Sequence, residues 1–160
     1  MQTFEFAQLA ILGPELLLAG GAMTLLMLGV FIGDTSTRIV TGLSVALLAI
    51  AALWLLWDPA SGSAFTDAVL MDPFAVLMKI LILIGSGAAI AMSVNFAKEE
   101  NFERFEYPIL VVLATIGMLL MVSANDLITL YLGLEMQALS LYVIAAINRD
   151  SLRSTEAGLK

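Results

Sequence analysis

Long apolar runs alternate with short polar breaks along this chain, and each run is close to the thickness of a bilayer. A helix needs ~20 apolar residues to cross a hydrocarbon core of ~30 Å. Five stretches meet or approach that length: 14–32, 39–57, 73–96, 108–123 and 127–147. Pro14 suits the first turn of the first span, where its missing N–H costs nothing. Trp54 and Trp57 close the second, where an aromatic belt would sit. The fourth is short, so it either tilts little or lies deep among its neighbours. The breaks at 33–38, 58–72, 97–107 and 124–126 do not read as linkers between soluble domains. With no internal repeat or low-complexity tract, the pattern predicts an all-α polytopic transmembrane helix bundle, residues 1–160 forming a single membrane domain.

Composition supports this reading. Hydrophobic residues make up 61% of the chain and charged residues 13%, against roughly 45–50% and about 25% in soluble domains. A lipid-facing helix must be apolar outside as well as inside, which accounts for the excess. Without cysteine or histidine, the chain has no disulfide, no zinc or iron–sulfur thiolates and no axial histidine for haem. A net charge of -7 argues against nucleic acid, whose binding rests on clustered Lys and Arg. No polybasic patch for anionic lipid is present.

The first ten residues hold Glu5 and no Lys or Arg. A secretory signal needs a positive start, so the first run reads as a retained span. Arg38 falls in the first break, Lys98 and Arg104 in the third, and Arg149, Arg153 and Lys160 after the fifth span. The N-terminal tail and the other two breaks carry no basic residue. By the positive-inside rule the N-terminus is outside and the C-terminus inside, and an odd number of spans agrees. Residues 150–160 read as a polar loop with a helix starting, Ser154, Thr155 and Glu156 supplying an N-cap and an early acid. The expectation is an N-terminal part of a longer protein.

Charges within spans cost about 2.5–3.5 kcal/mol at a helix centre on insertion scales, so each needs a reason. Glu135 lies nine residues past Asp126, about 13 Å of helix rise and near mid-membrane. Tyr131 and Tyr142 share its helical stripe. Desolvation and a nearby cation pull a buried carboxyl's proton affinity in opposite directions, and a group near that balance can relay protons. The plain alternative is a Glu that only ties helices together. Lys79, seven residues after Asp72, is about 10 Å deep. It either pairs with Glu135, directly or through water, or snorkels to the outer interface along its stem. Glu15 is expected to be a first-turn acid favoured by the helix dipole and interfacial water. Asp126 is expected to cap the fifth span. Gly85, Ala89 and Ser93, spaced by four, suggest a face of close helix packing. The nine methionines read as filler in the spans. No phosphate loop, nucleophile elbow or hydrolase carboxylate pair is present.

The segment 106–160 resembles subunit N of the respiratory NADH-quinone oxidoreductase, complex I. Its most specific stretch is SANDLITLYLGLEMQALSLYV at 123–143, centred on Glu135, and DPFAVLMKILIL at 72–83 looks like that family's third span. The resemblance implies an antiporter-like, proton-translocating membrane subunit of about fourteen helices in two inverted five-helix repeats plus flanking helices. It implies that Glu135 takes part in proton translocation coupled to quinone reduction, with lysines of later, broken helices completing the path. It also implies the other membrane subunits of complex I as partners. FMN, iron–sulfur clusters and quinone are expected in other subunits, and no cofactor in this chain. The implied location is a bacterial inner membrane. Subunits M and L, the Mrp-type cation/proton antiporters and a purely structural membrane subunit are the neighbouring readings.

Overall fold

The computed structural model describes residues 6–32, 37–57, 61–99, 104–148 and 152–159. Its five long helices are α2 (Gly13–Ile32), α3 (Thr37–Trp57), α4 (Pro73–Glu99), α5 (Glu106–Ser123) and α6 (Leu127–Ala145). Each is long and apolar enough to cross a membrane. Three smaller features complete the chain: α1 (Phe6–Ile11), an antiparallel hairpin of β1 (Gly62–Ala64) and β2 (Val69–Met71), and α7 (Leu152–Leu159).

The spans run up and down. The starts of α2, α4 and α6 and the ends of α3 and α5 therefore share one end of the bundle. The hairpin lies at that end, bridged from Val69 to Ala124 and bonded from Asn125 to the Ala68 and Asp67 carbonyls. Arg38, Lys98 and Arg104 lie at the opposite end. Arg149 and Lys160 fall outside the described residues.

α5 is the centre of the bundle, packing against α2, α3, α4 and α6. It is also the most buried span, as its shortness suggested. Leu18, Val40, Leu48, Leu83, Ile90, Val112 and Leu119 form the apolar core. A buried polar link joins α5 to α4 within it, the Thr115 hydroxyl donating to Ser86 Oγ at 2.8 Å. α6 is peripheral. Only Gly133 and Ser140 of it are buried, and its remaining face of leucines is uncovered.

The tightest helix contact is between α5 and α6. A Cβ on Gly117 would lie 2.6 Å from the Gly133 carbonyl oxygen, and one on Gly133 would lie 2.9 Å from that of Gly117. Glycines at a crossing let two backbones approach this closely. The expected small-residue face on α4 differs. Gly85 faces open space, Gly85 and Ala89 line a groove of about 400 Å³ between α4, α5 and α6, and Ser93 bonds its own helix at Ile90. No helix of the described residues closes over that stripe.

Span boundaries agree with the expected ones to within three residues. The hairpin and α1 were not expected. At the C-terminus, α7 begins at Leu152, ahead of the expected cap, and the Ser154 hydroxyl donates to the Ala145 carbonyl at 2.6 Å instead.

Candidate functional site: two charged positions on opposite sides of α5

Asp126 starts α6 in extended conformation, and its carboxylate accepts the Thr129 N–H at 2.6 Å. This is the expected N-cap, satisfying one of the donors a helix start leaves open. That bond holds the Asp126 carboxyl below its ordinary range. From this fixed start, nine residues of helix carry Glu135 about 13 Å along the span.

Glu135 is part-buried on α6, on the side of the helix turned away from the Gly133–Ser140 contact with α5. Tyr131, one turn back, has its hydroxyl within reach of the carboxylate. Tyr131 and Tyr142 are 60% and 58% exposed, so neither is sheltered by this chain. Tyr142 lines a different space, a cavity of about 500 Å³ toward the basic end, together with Arg104 and Glu106. The structure thus brings Tyr131 to Glu135 and leaves Tyr142 away from it.

Lys79 does not pair with Glu135, nor does it snorkel to the interface. It is fully buried, and its Nζ donates to Glu15 Oε1 at 2.5 Å. The expectation for Glu15 is corrected with it: the acid is 4% exposed rather than set in interfacial water. The reason is directional. Side chains on a helix tilt toward its N-terminus, which for α4 is the hairpin end, where the first turn of α2 presents Glu15. Reaching Glu135 would require Lys79 to point past α5, the helix on which α6 packs. An unpaired buried ion costs several kcal/mol, whereas a bonded pair recovers part of that cost.

Among the side chains described, no Lys or Arg is paired with Glu135. Lys79 is bonded to Glu15, and Arg38 and Arg104 lie at the far end. Two further polar atoms are buried without a described partner, Ser44 Oγ and Glu106 Oε2. Glu106 was not singled out in the sequence, although an acid opening a span was the available signal. No cluster of acids able to hold a metal ion occurs among the described residues.

The family described as "NADH:quinone oxidoreductase/Mrp antiporter, TM" matches residues 124–160, the stretch holding Asp126, Glu135 and Tyr142. The chain is 60% identical to NADH-quinone oxidoreductase subunit N 1 of Rhizobium meliloti over 96% of its length and 32% of the relative's. It is 48% identical to subunit N of Bartonella bacilliformis over 100% of its own length and 33% of the relative's. For subunit N of Parvibaculum lavamentivorans the identity is 53%, over 92% and 31%. The chain spans about a third of the length of the curated relatives it matches. With identities of this size over nearly its whole length, the chain belongs to the subunit N family of NADH-quinone oxidoreductases.

Proposed function

We propose that this chain forms part of a proton-translocating membrane subunit of NADH:quinone oxidoreductase and that Glu135 is its proton-carrying carboxyl. The observation that carries the reading is the placement of Glu135, a single ionisable side chain about 13 Å into a span, part-buried and matched by no described cation. An intramembrane carboxylate is expensive to keep, and a helix needing only packing at that position would be served by an apolar residue. Tyr131 supplies a hydroxyl through which the carboxylate can be oriented and hydrated. The leucine-rich face around it excludes bulk water once covered by lipid or by partner helices, which raises the sensitivity of the carboxylate to nearby charge.

The chain's contribution would be electrostatic. A change of field at Glu135 alters its hold on a proton, and the proton moves along hydrated groups. Flavin and iron–sulfur redox chemistry would belong to other subunits of the complex, and the partners of this chain would be the neighbouring membrane subunits. Arg38, Lys98 and Arg104 at one end and the hairpin at the other support an orientation with the hairpin outside and the basic end inside. The bacterial relatives support placement in the inner membrane. The matched family also includes Mrp antiporters, so cation/proton exchange without redox coupling is the second reading. The names of the matched relatives favour the oxidoreductase.

The test is Glu135→Gln in the full-length subunit within the assembled complex. Proton pumping in inverted membrane vesicles is expected to fall several-fold, with coupled quinone reduction falling alongside and Glu135→Asp affected less. Full coupled activity in an assembled Glu135→Gln complex contradicts the proposal.

A further inference from the structure

We propose that Glu15 and Lys79 form a second proton-exchanging site, at the hairpin end of the bundle and on the opposite side of α5 from Glu135. This inference rests on the proton-translocation reading above and extends it to a pair of residues outside the α5–α6 segment.

Three observations carry it. The pair is sealed: Lys79 is 0% and Glu15 4% exposed. It is also incompletely satisfied, since Glu15 Oε1 takes the Lys79 bond while Oε2 is buried with no partner among the described residues. Finally, it lies close to one surface. Glu15 is two residues into α2, beneath the cover made by α1 and the hairpin, where Ile11 approaches Gly62. A pair that served only to hold α2 against α4 could be replaced by apolar side chains with little loss, and often with a gain. A bare carboxylate oxygen a short step from water has instead the use of taking a proton or a bridging water.

The charged surroundings are sparse. α3 carries no charge between Arg38 at the far end and Trp57. α5 contributes Glu106, also at the far end. Asp67 in the hairpin turn is exposed, and Asp72 is exposed and caps α4 through the Ala75 N–H. Among the described residues, Glu15 and Lys79 therefore answer mainly to each other and to charge arriving from outside the pair.

The chemistry balances without a co-reactant other than water. When the proton crosses the hydrogen bond, the Nζ–H bond breaks and an O–H bond forms on Oε1. Ammonium becomes amine, carboxylate becomes acid, and the pair stays neutral. Uptake of a proton by the amine leaves acid plus ammonium, and loss of the acid's proton to water at the hairpin end restores the starting pair.

Lys79→Arg separates this from a structural role. Arginine keeps the positive charge and the bond to Glu15 but does not give up its proton. In the full-length subunit within the complex, K79R is expected to assemble, to retain NADH-driven electron transfer and to pump several-fold fewer protons per electron. Unchanged pumping per electron in K79R overturns the proposal. Should the larger guanidinium block assembly, the uncharged double variant E15Q/K79Q gives the same reading: assembled complex with reduced pumping supports the site, and full pumping overturns it. Glu135→Gln measured in parallel keeps the two readings apart. Loss of pumping in E135Q with full pumping in K79R removes the second site alone, whereas full pumping in both removes the function itself.

Discussion

Gly117 and Gly133 show how much a single hydrogen in place of a methyl group can decide. The α5 and α6 backbones meet there so closely that an added Cβ would strike a carbonyl oxygen rather than a side chain able to move. Gly117→Ala should therefore cost about 1–3 kcal/mol, the range for forced overpacking, read as a lower thermal midpoint and less assembled complex. Gly85→Ala, with nothing within 4 Å of the new atom, should leave both unchanged. At the cap of α6, the folded state lowers the proton affinity of Asp126 through the Thr129 bond. Its stabilising effect is therefore present above the ordinary aspartate range and disappears as pH falls through the lowered value. Asp126→Asn should melt below the parent at neutral pH and converge with it in acid. The effect should be small and salt-sensitive because the group is exposed.

Each long helix could be read in the sequence because lipid imposes a length and an apolarity that leave few alternatives. The short elements were hidden for the opposite reason. β1 and β2 are three residues each, too brief for a period, and their turn holds Phe65, Thr66 and Asp67 at φ of 55°, 59° and 66° without a glycine to announce it. A β-branched residue is poorly suited to that conformation. Thr66→Gly should thus raise the thermal midpoint slightly, by up to ~1 kcal/mol of stability. The position of Glu135 within a span was legible as well, and so was the cap at Asp126, from its place before an apolar run. The partner of Lys79 was not. Spacing gives depth along a helix, but which neighbour a side chain meets depends on the order of helices around α5, and no period encodes that order. Glu15 was read from its own helix alone, where dipole and water sufficed, and the fourth helix that buries it was out of sight.

For the whole molecule, the distribution of charge defines two ends, one basic and one closed by the hairpin. If the basic end is cytoplasmic, a cysteine at exposed Ser63 should react with a membrane-impermeant maleimide from the outside, and one at exposed Glu156 only from the inside. The chain has no native cysteine, so each signal comes from one position, and labelling of both from the same side would contradict the orientation. Between these ends α5 separates two charged positions, the Glu15–Lys79 pair closed within the bundle and Glu135 on the uncovered face of α6. That division suits a subunit that meets other helices along α6 and seals its own interior behind α5. The most direct measurement is infrared difference spectroscopy of the full-length complex during turnover, comparing the parent with Glu135→Asp. A protonated-carboxyl band that appears in turnover and shifts in the variant is the predicted result. An identical spectrum in both would show that Glu135 does not change protonation and would contradict the account.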